Sequence, residues 1–416
     1  MPGQNANRNH ISYAWTILTV LVVGHMVSFG IRASFGAYIT PWEEEFSVNR
    51  TAVTSISMVN FVAFALCQPF AGKLNDLWGR GIIPTLGVFL MGASLLLSSQ
   101  ANQIWQIHLL YGGVCSVGVA CCTSSVVAVI VTKWFDKKRG LALGLAMAGM
   151  AIGSLILVPV SIFAIERLGW RTTIAASGLI MLVLVGPLYA FLLRSKPEEK
   201  GQKPYGYTES EPGVVNGGAS IDKPAASLPI FSIFRKKAFW MLSIPYFICG
   251  FTDVGVVQTH VIPMLEGRGF LPAETAMAVS AIAFANIAGT IVTGHMSDHF
   301  NLKRQLAVIY SFRVVTIILL IVLQQVWLLL VFAVLYGAVE MASIAPTNAL
   351  TVKLFDGYST GVVLGVVAVS HQLGGAIGSL VPGMLFDLTG SYSEALIAAA
   401  ALLLLAAGMS LRIKAG

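Results

Sequence analysis

Charge is what this 416-residue sequence has least of: 11% of its residues are Asp, Glu, Lys or Arg, against about 25% in an ordinary soluble domain. So little charge cannot cover a water-facing surface, which excludes a soluble enzyme, a nucleic-acid-binding domain and a disordered chain. Cysteine is scarce as well. The five thiols, Cys67, Cys115, Cys121, Cys122 and Cys249, all fall inside apolar runs with no C-x-x-C among them, so they read as packing groups rather than a disulfide framework. Also missing are H-E-x-x-H, G-x-S-x-G and a G-x-x-x-x-G-K-[ST] phosphate loop, which argues against an enzyme and against a nucleotide-driven pump, and implies no cofactor. What is present is apolar: 56% hydrophobic residues, 41 glycines and 22 phenylalanines, with a mean hydropathy of +0.78. The composition is that of a polytopic membrane protein.

A bilayer-crossing helix needs about 20 apolar residues. Twelve apolar runs are found, at 13–40, 51–71, 82–100, 105–132, 141–164, 172–193, 238–264, 273–293, 305–323, 326–348, 358–382 and 392–411; they are numbered spans 1 to 12 below. They are too long and continuous for the strands of a β-barrel. The fold class predicted is therefore all-α, with twelve transmembrane helices. With the amino terminus inside, the cytoplasmic segments hold 20 of the 26 Lys and Arg residues and the external loops hold four, Arg50, Arg167, Arg171 and Arg268. The positive-inside rule thus predicts that both termini are cytoplasmic; the expected location is the cell (inner) membrane. The net charge of +7 is accounted for by this topology and does not call for nucleic acid.

One stretch interrupts the apolar pattern. Residues 195–227 are rich in Pro, Gly, Ser and charge and are expected to form a flexible cytoplasmic linker between an amino-terminal six-helix bundle, 1–194, and a carboxy-terminal one, 228–416. The halves repeat each other. Gly72-Lys-Leu-Asn-Asp76-Leu-Trp-Gly79-Arg80 after span 2 is echoed by Gly294-His-Met-Ser-Asp298 after span 8, followed by Arg304. Lys133-Trp-Phe-Asp136 is echoed by Lys353-Leu-Phe-Asp356, and Ala151-Ile-Gly-Ser-Leu155 by Ala376-Ile-Gly-Ser-Leu380. Three matched pairs in one order identify a tandem duplication. In the two loops Gly72, Asp76, Gly79, Arg80, Asp298 and Arg304 are read as gating residues, because a carboxylate facing a helix N-terminus and an arginine facing a carboxylate make switchable contacts.

These residues carry a resemblance. A 6+6 chain with Gly72-x-Leu74-x-Asp76-x-x-Gly79-Arg80 after span 2 resembles the major facilitator superfamily over nearly its whole length. Ser34-Phe35-Gly36 leading to Trp42-Glu-Glu-Glu-Phe46 and Arg50, and Lys133-Trp-Phe-Asp136 running on to Ala148-Gly149, are similar to the monocarboxylate-transporter branch and its bacterial relatives. The resemblance implies the major facilitator fold with spans 1, 4, 7 and 10 lining a central cavity. It also implies a small-molecule solute, of the small-organic-anion class, moved by proton symport or anion exchange through alternating access. Members of that branch place an Asp and an Arg in span 8 where this chain has Asn286 and Thr290, and a Lys in span 1 where it has Ala33, next to Arg32.

Ionisable groups inside a span cost a few kcal/mol and are candidates for function by default. Arg32 in span 1 is expected to bind substrate, since a guanidinium grips a carboxylate with two hydrogen bonds, or to pair with Asp253 or Glu340. Asn286, Tyr336 and His260 complete the expected substrate-binding set. Asp253, Glu340 and His371 are read as proton-coupling or ion-pairing groups; for His371 a hydrogen bond across a close helix contact is the competing reading. Arg313 in span 9 is the anomaly, because the resemblance puts that span outside the cavity. The alternative functions are a transition-metal (copper-like) transporter, prompted by His260 and Met264 on one helix face and by Cys249, or a neutral or zwitterionic metabolite transporter. No resident metal is predicted. The expected partners are a solute, protons and the lipid bilayer, with a monomeric functional unit.

Overall fold

The computed structural model describes residues 4–79, 81–207 and 230–413. Ten helical segments are long and apolar enough to cross a membrane, and Ile82–Ser98 is a shorter apolar helix. One of the ten, Arg139–Leu192, is two spans rather than one: Gly169 stands at φ 78, ψ 161, a conformation a side chain would strain, and turns the chain between spans 5 and 6. Helix therefore runs across a point where the sequence suggested a loop. Twelve successive spans put both ends of the chain on one face, called the terminal face below.

Several spans are interrupted, and some of the interruptions recur in both halves. Span 1 runs from Gln4–Ala33 into Phe35–Phe46, stepping at Ser34. Its partner in the repeat, span 7, passes through a π-helical stretch, Phe251–Gln258, between Lys237–Gly250 and Thr259–Gly267. Span 4 breaks between Cys115–Cys121 and Ser124–Trp134. Span 10 breaks 220 residues later, between Val326–Glu340 and Ile344–Leu354. Pro346 explains the second break, since it has no N–H to offer the carbonyl of Ala342. In span 4 the Thr123 side chain caps the new helix by accepting from the Val126 N–H.

The repeated glycines have a physical reason. A methyl on Gly153 would lie 2.1 Å from the Met26 carbonyl oxygen, and one on Gly378 would lie 2.2 Å from that of Phe251. Spans 1 and 5, and spans 7 and 11, thus touch backbone to backbone through the same position of the Ala-Ile-Gly-Ser-Leu motif. Phe135 and Phe355 of the other repeated motif are both buried. The buried apolar side chains form two clusters. One is drawn from residues 14 to 193; the other is drawn from residues 233 to 413, with Ala37, Val158 and Ile162 joining it from the first half.

Part of the stretch read as a flexible linker is packed. The Tyr205 N–H donates to the Trp134 carbonyl at 2.8 Å, and its own carbonyl accepts from the N–H groups of Asp136 and Lys137. Its ring lies against Trp15 and Phe135. The Ser195 hydroxyl accepts from the Gly81 N–H at 2.7 Å. An aromatic residue in a polar stretch supplied the apolar contact that the overall composition lacks. Residues 208–229, which hold most of that stretch, lie outside the described residues.

Candidate functional site

Arg32 occupies the last turn of the helix Gln4–Ala33, where the free carbonyl ends favour a cation. Its guanidinium lies over two aromatic faces of span 2, 4.9 Å from the Phe61 centroid and 4.6 Å from that of Phe64. The pairing with Asp253 or Glu340 that the sequence allowed is not formed: among the described residues Arg32 has no carboxylate partner. It lines an open cleft with Ala33, Phe35, Ser57, Asn60, Phe61, Tyr111, Gln258 and Thr259. The Tyr111 hydroxyl in this cleft is buried and takes no protein partner. One unpaired cation, one free phenol and several neutral polar side chains suit a small anion with a hydrogen-bonding substituent. Sequence reasoning missed Tyr111, Asn60 and Ser57, because an uncharged polar residue in an apolar run gives no charge signal.

The second half holds a denser cluster. Asp253, 4% exposed, accepts from the Tyr336 hydroxyl at 2.5 Å and lies 3.7 Å from the Arg313 guanidinium. Arg313, 1% exposed, is thereby explained. It caps the broken end of span 10, donating through Nη2 to the Val339 carbonyl at 2.8 Å and to the Glu340 carbonyl. The break takes the i+4 donor from each of these carbonyls, although that of Val339 still accepts from the Ala342 N–H at 3.4 Å. Span 9 contributes to the centre because its neighbour is interrupted, a reason invisible without the break. The Asn286 amide donates to Glu340 Oε2 at 2.6 Å, and the Thr290 hydroxyl donates to the Asn286 carbonyl oxygen at 3.2 Å. The two neutral residues standing where relatives carry charge therefore form a chain ending on Glu340. Tyr336 and Asn286, expected to touch substrate, are bonded to Asp253 and Glu340.

His371 packs on the Tyr246 ring at 4.7 Å. Its ring, the Cys249 thiol and the Asp253 carboxylate bring their ligand atoms within 4.8 Å of one another. Arg313 Nη1 already donates to Cys249 Sγ at 2.9 Å, so a cation occupies the place a metal ion would take, and the donor set does not fit a second one.

His260 belongs elsewhere. It is fully buried, with Nε2 2.8 Å from the Ser379 carbonyl oxygen and Nδ1 3.2 Å from the Tyr392 hydroxyl. Since a carbonyl only accepts, Nε2 carries the proton and Nδ1 accepts from Tyr392. Tyr392 in turn accepts from Arg50 Nη1 at 2.9 Å. This differs from the expected substrate contact: His260 ties the ends of spans 7, 11 and 12 together on the face opposite the termini. Hydrogen bonds between the halves cluster there. Arg50 holds Glu43 through two 2.6 Å bonds and lies over the Phe386 ring at 4.3 Å. Asp387 accepts from the backbone N–H groups of Arg50 and Thr51 and from the Thr51 hydroxyl, so a carboxylate of one half caps the N-terminus of span 2 in the other. The Thr40 hydroxyl donates to Glu266 at 2.9 Å.

Of the residues read as gates, Gly72, Gly79 and Arg304 are described with their surroundings. Gly72 and Gly294 would have nothing within 4 Å of an added methyl, and Arg304 is exposed. Gly79, at φ 60, ends the helix of span 2. Arg80 and the side chains of Asp76 and Asp298 lie outside the described residues.

An all-helical, multi-pass frame with a repeated six-span unit and a polar centre defines a membrane transporter of small molecules. The chain matches the Major Facilitator Superfamily over residues 21–323 and 261–414, and it belongs to that superfamily, whose members are transporters and not enzymes. It is 23% identical over 389 residues to the uncharacterized MFS-type transporter YcxA of Bacillus subtilis, covering 91% of this chain and 90% of that one. It is 22% identical to monocarboxylate transporter 12 of Homo sapiens, with 92% and 77% covered. With monocarboxylate transporter 13 of Rattus norvegicus the identity is 24%, with 95% and 88% covered. The fold is similar to that of a bacterial homologue of the human lysosomal transporter Spinster, crystallised inward-facing and unoccupied, with a TM-score of 0.72, 16% identity and 96% of each chain covered.

Proposed function

We propose that this protein moves a small monocarboxylate-like anion across the cell (inner) membrane by proton symport or anion exchange, with both termini cytoplasmic and one chain as the working unit. The observation that carries the reading is Arg32: a guanidinium lining an open cleft, held on two phenyl faces, with no carboxylate partner among the described residues. The half-buried guanidinium has no counter-ion, and an anionic solute supplies one. Asn60, Ser57, Gln258 and the free Tyr111 hydroxyl bind the rest of the solute.

Bundles 1–194 and 228–416 rock about the centre in alternating access. The conformation described here is the one closed on the face opposite the termini, through Arg50, Asp387, Tyr392 and His260, and it delivers solute on the terminal face. The loops around Asp76 and Asp298 close that face in the other state. The test is uptake of labelled monocarboxylates into proteoliposomes under an imposed pH gradient. Uptake by the wild type that is lost in Arg32→Ala is expected; a wild type that moves no organic anion refutes the reading.

A further inference from the structure

Three charged side chains meet in the second half, two carboxylates and one guanidinium, and their hydrogen bonds are unequally shared. Asp253 has the Tyr336 hydroxyl on one oxygen and Arg313 beside the other. Glu340 is 8% exposed and has one side-chain donor, the Asn286 amide on Oε2. Its Oε1 takes no protein donor among the described residues, and it is not among the fully buried unpartnered atoms, so this oxygen is free to take a proton. Arg313 meets Glu340 only at the backbone carbonyl. One guanidinium neutralises one carboxylate, and the geometry gives it to Asp253.

From this placement we infer that Glu340 is the group that takes up and releases the coupled proton, while Asp253 stays ionised as the fixed partner of Arg313. The inference rests on the reading of the chain as a proton-coupled anion transporter and names the coupling residue within it. The groups facing Glu340 are few. Span 7 offers Asp253, span 8 the neutral Asn286, span 9 Arg313 and span 10 itself Tyr336; Cys249 of span 7 and His371 of span 11 lie against Asp253.

Arg32 reaches the same centre from the other half: a methyl on Gly375, one helical turn beyond His371, would lie 3.4 Å from the Phe61 ring that supports the Arg32 guanidinium. The charges then balance in two states only. Without solute, ionised Glu340 balances the Arg32 cation in net charge only, the two being unpaired. With solute, the anion offsets Arg32 and a proton neutralises Glu340. A carrier holding the anion without the proton, or the proton without the anion, would carry one uncompensated charge through a low-dielectric interior. No covalent bond changes: the proton adds to Glu340 from one side of the membrane and leaves to the other.

The test needs no solute. Infrared difference spectra between acidic and alkaline pH are recorded on protein in liposomes, for wild type, Glu340→Gln and Asn286→Ala. The wild type is expected to show a protonated-carboxyl band that disappears on alkalinisation. Glu340→Gln is expected to lose it, and Asn286→Ala to shift its frequency by removing the amide bond to that carboxyl. If Glu340→Gln fails to fold, the Asn286→Ala shift decides. A band retained in Glu340→Gln, a frequency indifferent to Asn286→Ala, or a wild type with no titrating band overturns the inference. If the bands behave as expected but no organic anion is taken up in the proteoliposome assay, the failure lies with the transported anion and not with the proton site.

Discussion

The two halves share a frame but not a chemistry. Gly153 meets Met26 as Gly378 meets Phe251, so Asp253, two residues beyond Phe251, corresponds to Ser28, two beyond Met26. Lys133-Trp-Phe-Asp136 and Lys353-Leu-Phe-Asp356 stand 220 residues apart, as do the helix starts Ser124 and Ile344 after the two breaks, so Glu340 corresponds to Ala120. Span 3, the counterpart of the span that holds Arg313, has no charged residue between Ile82 and Ser98. The first half thus has a serine and an alanine where the second has carboxylates, and it places a single unpaired arginine at a step in span 1. Backbone contacts and helix breaks survive duplication because packing at 8–10 Å between helices depends on small residues and local geometry. Charges are free to diverge, and in the function proposed above the first half holds the anion and the second the proton.

The largest effect expected from breaking this comparison comes in the second half. Asp253→Asn strands Arg313 in a sealed interior and should destabilise the protein by about 3–5 kcal/mol, measured as a fall in thermal stability in detergent; Ser28→Ala at the corresponding place should change it little. Next comes Arg32→Ala, which should leave stability nearly unchanged and weaken binding of a monocarboxylate by about 3 kcal/mol, roughly a hundredfold, as read by competition binding. Smaller again is Tyr392→Phe, which removes the hydroxyl shared by Arg50 and His260. It should cost about 1 kcal/mol of the closed face, seen as faster labelling of a cysteine introduced at Thr40.

The smallest effect is at the rim. Arg171 donates to Glu45 at 2.8 Å and holds its carboxyl below the ordinary range, chiefly through that hydrogen bond. A lowered folded-state pKa means the contribution is complete above the ordinary glutamate value and is lost as pH falls through the lowered one. Both partners are exposed, so salt and solvent screen the pair. Glu45→Gln should therefore remove only a shallow acid dependence of the melting temperature.

Much of the frame was legible in the sequence because its causes are local. Apolar runs gave the spans, and Gly153 and Gly378 announced themselves through a repeated motif. Arg32, Asp253 and Glu340 stood out because charge in a membrane is rare. What stayed hidden depends on three-dimensional interruptions. Arg313 looked misplaced until the broken end of span 10 supplied the carbonyls it caps. Asn286 and Thr290 looked like lost charges until they proved to be oriented toward Glu340. Tyr111 gave no signal because a phenol in an apolar helix resembles ordinary packing. His260 drew attention as a lone imidazole in a span, yet Ser379 and Tyr392, distant in sequence, take both its nitrogens.

On the function and proton site proposed above, an anion on Arg32 and a proton on Glu340 compensate each other across the two halves. The most direct measurement of this compensation is the number of protons taken up from weakly buffered solution when the purified protein binds a monocarboxylate. The account predicts one proton per anion for the wild type and none for Glu340→Gln, with the anion still bound. Binding without proton uptake in the wild type, or undiminished uptake in Glu340→Gln, would contradict it.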